Sequence, residues 1–269
     1  MQDVLFVLGA GDPEMVTIEH LLADYAVPAI RVRVGGKRVY PANAYRASVP
    51  PQAVDVLARG GRVWLVECVG DVPEGASRID HHRPGDPGYG HPPAEFWRAS
   101  SLGQAVAVLR NEIGLEVEIT PEMRLVAAAD HCLGAAYRGD CPGIDPDALL
   151  RWHVASRAAF EKRSVDAVLI DVQATRDQLR RAPRMELAPG IHAADMRGRP
   201  DAELLIAAAH EGQCCISAVT ARDGRTKIGC LVGSPAQVMA FMHEWVPRQG
   251  LTAVYGDPVR GFAGAFVPR

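Results

Sequence analysis

The chain has no CxxC pair: its six cysteines, Cys68, Cys132, Cys141, Cys214, Cys215 and Cys230, fall at irregular spacings, two of them adjacent. That distribution excludes a thiolate zinc framework and predicts reduced thiols, as in a cytoplasm. A basic excess is also missing. The formal net charge is −3, so nothing here would hold long duplex nucleic acid by counterion release. Aromatic residues are only 6% of the chain, too few for an extended platform on which single strands would stack. No apolar run has membrane-spanning length, and there is no internal repeat, heptad run or low-complexity tract. The opening "VLFVLGAG" is short, has no basic leader and meets Asp12 and Glu14 at once, so it reads as a buried strand, not a signal peptide.

What is present is ample core material, 48% hydrophobic over 269 residues, enough for two modest domains. Val4 to Leu8 is expected as a strand. "DPEMVTIEHLLADYA" has helical apolar spacing, and "AIRVRV", Gly35-Gly36 and "KRVY" read as a hairpin. "PPQAVDVLARGG" reads as a short helix with Pro51 in its first turn, followed by the strand "RVWLVE". Ser100 or Ser101 can cap the helix "LGQAVAVLRNEIG", and Thr120-Pro121 can open "EMRLVAAADHCLGAAYRG". Strands alternating with helices predict an α/β domain with a mainly parallel sheet flanked by helices, placed at residues 1–139. A helix over Asp147 to Arg163 makes 140–165 a helical linker. The remainder, 166–269, reads as a smaller α+β mixed-sheet domain. Its expected elements are strand "DAVLID", a polar crossover or loop "RDQLRRAPRMELAPG", strand "GIHAADM", helix "DAELLIAAAHEG", strands "CCISAVTA" and "TKIGCLVG", helix "PAQVMAFMHEWV" and strand "LTAVYG".

The chemistry concentrates in "SRIDHHRPGDPGYG", where Asp80, His81 and His82 follow an apolar strand. Side chains at the carboxyl ends of parallel strands converge on one crevice. Three expected strands end in such groups: the first runs into Asp12 and Glu14, "VWLV" into Glu67, "SRI" into Asp80-His81-His82. Asp130, beside His131 in an otherwise apolar helix, would be costly to bury without a partner, and a shared cation would relieve that cost. Carboxylate and imidazole ligands without thiolates suit Mn²⁺ or Mg²⁺. Two such ions can activate a water and neutralise charge developing on phosphoryl oxygens, which makes phosphoester hydrolysis the expected reaction. Simpler roles stand beside these: Asp12 as a helix cap, Asp130 as the ion-pair partner of Arg124, and Cys68 and Cys132 as packing groups or, alternatively, a thiolate nucleophile or ligand.

These residues resemble the DHH phosphoesterase superfamily, named for the tripeptide that Asp80-His81-His82 spells. The strand entering Asp12-Pro13-Glu14 is similar to that family's first acid-x-acid motif, Glu67 to its second strand-end acid, Asp130 to its fourth motif, and "ASSLGQA", with Ser101, to its approach to a helix. The second half is similar to the family's accessory substrate-binding domain, with "YGDPVRGFAGAF" as its glycine-rich end. The resemblance implies two metals held by Asp12, Glu14, Glu67, His81 and Asp130, with Glu67 bridging, or Asp71 in its place. It further implies His82 facing the phosphate, Asp80 orienting a histidine, and Gly256, Arg260, Gly261 and Gly264 meeting the substrate. Glu14 and Glu67 depart from the family's shorter aspartates, and the preceding histidine of some members is absent.

The expected activity is hydrolysis of a small phosphodiester or phosphomonoester, such as a short oligonucleotide, a cyclic nucleotide or a nucleotide bisphosphate, in the cytoplasm. Arg176, Arg180, Arg181, Arg184, Arg197 and Arg199 could steer the anion. A homodimer is compatible with all of this, and no membrane partner is expected. Two alternatives stay open: a catalytically weakened relative that senses a nucleotide or metal, and a metal-free nucleotide-binding protein using "LGAGDPE" as a phosphate loop, against which Glu14 counts.

Overall fold

The computed structural model describes residues 3–41, 43–199, 202–220 and 224–268. Asp201 and Ala221, placed above in a helix and at the end of a strand, lie outside them. The chain divides into two compact units, 1–91 with 95–131, and 92–94 with 132–269.

In the first unit β1 (Val4–Leu8) leads into α1 (Pro13–Asp24) and β2 (Ala29–Arg31). β3 (Arg33–Val34) and β4 (Lys37–Arg38) form a separate two-stranded hairpin. Gly35 and Gly36 both have positive φ, 57° and 75°, the geometry a two-residue hairpin turn requires. Then follow α2 (Pro51–Ala58), β5 (Arg62–Val66), β6 (Ala76–Ile79), α3 (Phe96–Ala99), α4 (Ser101–Asn111) and α5 (Pro121–Tyr137). The sheet order is β2-β1-β5-β6, parallel throughout. Alternation divides β1 and β5 between two buried faces. Leu5, Val7, Val63 and Leu65 pack with Ala53 and Val56 of α2, while Phe6 and Trp64 stack with ring centroids 5.0 Å apart. Register pairs Leu8 with Val66 and Val66 with Ile79, so three strands finish level. The residues after them therefore meet at one end of the sheet.

The second unit holds α6 (Pro146–Glu161), α7 (Val165–Arg180), β7 (Arg184–Ala188), β8 (Ile191–Asp195), α8 (Leu204–Glu211), β9 (Cys215–Thr220) and β10 (Thr226–Leu231). After them α9 (Pro235–Ala240) continues through a π turn (Phe241–Trp245) into α10 (Val246–Arg248), and β11 (Thr252–Asp257) and β12 (Phe262–Phe266) close the sheet. The strand order is β11-β12-β10-β9-β8-β7, antiparallel except between β8 and β9. Leu187, Ile216, Ile228, Cys230 and Ala265 pack on Val238, Phe241 and Trp245 to form its main core. The fold is thus α/β, with a parallel sheet in one unit and a mixed sheet in the other.

"DAVLID" is not a strand: it lies in α7, where Ser164 caps the helix by accepting the Ala167 N–H at 3.2 Å. Val168, Val172, Thr175 and Leu179 form its buried stripe at helical spacing. A six-residue apolar run has no period of its own to separate strand from helix, and the capping serine and the stripe beyond it decide. "RMELA", expected within a polar crossover or loop, is β7 instead. "YGDPVRGFAGAF" is an antiparallel pair, β11 and β12, joined at residues 258–261.

Candidate metal centre

Asp12 stands at the mouth of β1 and caps α1, its Oδ1 accepting the Met15 N–H at 2.8 Å. The cap reading therefore describes its hydrogen bond. Its carboxyl is nevertheless pushed up to about 8 by burial and then by the charges of Glu67 and Asp130. Glu14, two residues on, is buried, and its Oε1 accepts the Leu102 N–H at 3.1 Å, at the start of α4. Burial, then the charges of Asp130 and Glu67, hold its carboxyl well above the usual range.

Glu67 follows β5 directly, with a left-handed φ of 49° that costs a non-glycine residue about 1 kcal/mol or more. Its N–H donates to the Ile79 carbonyl at 3.0 Å, which keeps it level with the end of β6. Gly9 makes the arrangement feasible: a Cβ there would lie 2.3 Å from the Glu67 carbonyl oxygen. Asp71, the competing bridge, is exposed and stands outside the cluster of candidate ligands.

His81 is fully buried, and its Nε2 lies 2.9 Å from Asp130 Oδ2, 3.5 Å from Glu67 Oε1 and 3.8 Å from Glu14 Oε2. Asp130 is thus turned to His81. Arg124, its alternative partner, lies over the Trp97 ring at 5.6 Å. Single ligand atoms of Glu67, His81, His82 and Asp130 all lie within 4.8 Å of one another, so these four could hold a metal ion. Glu14 Oε2 and Glu67 Oε1 are buried without a hydrogen-bond partner. Three carboxylates around one imidazole, two with such oxygens, repel one another in a medium that screens poorly. A cation among them would remove both penalties.

Asp80 faces elsewhere. Its Oδ2 accepts the Tyr45 hydroxyl at 2.8 Å, and its Oδ1 accepts the His81 N–H at 2.8 Å and the His82 Nδ1–H at 3.1 Å. Burial alone would push this carboxyl up, but the bond to the His82 ring, the His82 charge and the Tyr45 hydroxyl outweigh it and hold it at about 2. Its backbone is clamped as well: Gln104 of α4 donates to the Asp80 carbonyl at 3.0 Å and accepts its N–H at 3.3 Å. Gly88 packs against the same segment, where a Cβ would meet the Ala99 carbonyl at 1.9 Å and His81 Cβ at 2.7 Å. Tyr45 lies in a single 3₁₀ turn (Ala44–Arg46) with no motif around it, and nothing in its sequence neighbourhood marked it.

Ser101 opens α4 as a buried residue while Ser100 supplies the cap, accepting the Gly103 N–H at 3.0 Å. Cys68 donates to the Val7 carbonyl at 3.3 Å, its thiol pushed up to about 12 by burial and then by the Asp80 charge. Cys132 Sγ sits 3.0 Å from Cys141 Sγ, and that bond, with burial, raises its thiol too. Both are packing groups in this geometry.

The structure brings together Asp12, Glu14, Glu67, Asp80, His81, His82, Ser101 and Asp130 in the first unit. Gly256, Arg260, Gly261 and Gly264 belong to the second. There a Cβ on Gly264 would strike the Tyr255 ring at 2.6 Å, and one on Gly261 the Gly233 carbonyl at 2.7 Å, so both are closely packed within their own unit. The Arg260 guanidinium lies 5.1 Å from the Phe262 ring centre. Among the arginines considered for steering, Arg180 is bound to Glu211 at 2.8 Å and Arg197 to Asp195 at 2.7 Å, while Arg176 also holds Glu211. These three have acidic partners already. A cavity of about 300 Å³ opens over β9, β10 and β12, lined by Arg199, Ser217, Lys227, Tyr255 and Phe262 among others. Among the described residues no helix is long and apolar enough to cross a membrane. No protein-family model matches the chain, and no curated protein matches it at a significant level.

Proposed function

We propose that this chain is a metal-dependent phosphoesterase of the DHH type, hydrolysing a small phosphodiester or phosphomonoester with Mn²⁺ or Mg²⁺ bound at the first unit. The observation that carries the reading is the convergence of Glu14, Glu67 and Asp130 on Nε2 of the fully buried His81, at 2.9 to 3.8 Å. Glu67, His81 and Asp130 would hold one ion, with His82 left to the phosphate, and Asp12 and Glu14 are the residues available to a second. When bound, such ions supply Lewis acidity and a water of lowered pKa. The chain's own residues do the rest. Asp80 keeps His82 oriented through its Nδ1–H, and the His82 side chain, 33% exposed, is the member of the tripeptide an incoming phosphate can reach. Carboxylates without thiolates favour Mn²⁺ or Mg²⁺ over softer ions. Low aromatic content favours short substrates, such as a short oligonucleotide, cyclic nucleotide or nucleotide bisphosphate, over extended strands.

The test is hydrolysis of bis(p-nitrophenyl) phosphate, p-nitrophenyl phosphate and a 5′-phosphorylated dinucleotide by chelator-stripped protein, with and without Mn²⁺. Turnover that requires Mn²⁺ and disappears in His81→Ala is the expected result; Mn²⁺-independent turnover, or none on any substrate, counts against it. A second reading has its own observation. Asp12 is engaged as a helix cap and lies outside the group of four, so a single-ion centre that binds a nucleotide without turning it over is its natural alternative. One equivalent of bound Mn²⁺, nucleotide binding and no hydrolysis would favour that sensor.

A further inference from the structure

His131 follows Asp130 on α5, just before the helix breaks at Cys132. Its ring is buried and lies nearly parallel to that of His81, with centroids 5.2 Å apart and planes at 19°. Two contacts bear directly on its protonation pattern. Nε2 lies 3.1 Å from the His91 carbonyl oxygen, and Nδ1 lies 2.9 Å from Nδ1 of His81.

A carbonyl oxygen only accepts, so the His131 Nε2 carries hydrogen. Between the two facing Nδ1 atoms there is room for one shared hydrogen. If it belongs to His131, that ring is an imidazolium and His81 turns an Nε2–H toward Asp130. If it belongs to His81, His131 is neutral and His81 turns the Nε2 lone pair toward Asp130, Glu67 and Glu14. Only the second form can ligate a cation through Nε2.

We propose that His131 is a positioning residue for the metal centre: anchored by the His91 carbonyl, it offers His81 a neutral Nδ1 acceptor and so selects the tautomer whose Nε2 faces the carboxylates. The inference rests on the metal-binding reading above and adds a residue to it. The usual outer partner of a metal-bound imidazole is a carboxylate, a carbonyl or water. Here a second imidazole, itself fixed by a carbonyl, takes that place. The relay runs from backbone to ring to ring, and neither ring can turn over without losing a buried bond.

The experiment is calorimetric titration of Mn²⁺ into the chelator-stripped full chain, comparing wild type with His131→Asn and His131→Phe. Asparagine places an amide oxygen near the position of Nδ1 and can still accept from His81, whereas phenylalanine keeps a ring of similar size with no acceptor. His131→Asn is expected to bind Mn²⁺ within about threefold of wild type, and His131→Phe about 10- to 100-fold more weakly. Long-range ¹H–¹⁵N correlation spectra of wild type saturated with diamagnetic Mg²⁺ should show His81 protonated at Nδ1, an outcome independent of whether either variant folds. Equal Mn²⁺ affinity in His131→Phe and wild type, equal loss in both variants, or an unprotonated His81 Nδ1 would overturn the inference while leaving the metal centre standing. A wild type that takes up no Mn²⁺ would overturn both.

Discussion

Gly9 and Glu67 are in backbone contact: a Cβ on Gly9 would sit 2.3 Å from the Glu67 carbonyl oxygen and 3.0 Å from that of Val66. The Gly9 N–H donates to the Val66 carbonyl at 2.9 Å, so the ends of β1 and β5 remain laced together just past the sheet. Glycine here serves the approach of two strand ends, and this explains the glycine of "LGAGDPE" without a phosphate loop.

Substituting Gly9→Ala should therefore push Glu67 away from His81. Overpacking of this kind costs about 1–3 kcal/mol, read as a lower midpoint in urea unfolding. Mn²⁺ affinity should fall with it, measured by calorimetry at a temperature where the variant remains folded. Unchanged stability and unchanged metal binding would mean that the strand ends do not need this contact.

His81→Ala and Asp130→Asn should each abolish high-affinity Mn²⁺ binding, because each removes a donor from the same point. Activity on bis(p-nitrophenyl) phosphate is expected to drop at least about 100-fold. Asp71→Asn, on an exposed residue away from the cluster, should leave both near wild type. Elemental analysis after gel filtration checks the three variants together.

Asp80 supports several donors, and its loss should be felt in the fold as well as the site. Asp80→Ala leaves the half-buried Tyr45 hydroxyl and two backbone N–H groups without their acceptor, a loss of about 3 kcal/mol. Tyr45→Phe removes one bond and should cost about 1 kcal/mol. Differential scanning calorimetry of the two variants tests the order; a Tyr45→Phe effect as large as that of Asp80→Ala would contradict it.

His153 of α6, in the second unit, supplies a pH dependence of its own. Burial, then the neighbouring Arg157 charge, pushes its imidazole down to about 4 from the ordinary 6.5. The unfolded chain then binds a proton at a pH where the folded one does not. Its contribution to stability is fully present above pH 6.5 and is lost as pH falls toward 4. Wild type should lose roughly 1–3 kcal/mol more than His153→Gln over that interval, measured by urea unfolding in matched buffers.

How much of this was legible beforehand differs by element. Asp12, Glu14, Glu67 and the Asp80-His81-His82 cluster each follow a short apolar run, and a run that ends in acids can be read as the carboxyl end of a strand from composition alone. Asp130 stood out because a carboxylate among alanines and valines needs a partner. By contrast, "DAVLID" carried too few residues to reveal its period, and only the helix it belongs to settled its state. Gly256, Gly261 and Gly264 read as ligand-approach glycines, and the fold adds that Gly264 packs on Tyr255 and Gly261 on Gly233, contacts their own neighbourhoods did not announce. Tyr45 and the His131–His81 contact had no local pattern at all, and Gly9 stood in a pattern that suggested a phosphate loop and not a contact between strand ends.

Local chemistry along the chain was sufficient for the alternation of strands and helices, the parallel sheet of the first unit, and the inventory of acids and imidazoles, because side-chain period and burial cost act over a few neighbouring residues. Which acids meet was decided only by the tertiary fold. Strand register brings Glu67 level with Asp80, α5 lays Asp130 and His131 against His81, and Asp71 is left in solvent. Those pairings depend on how distant segments pack, and the sequence near each residue carries no record of what will lie across from it.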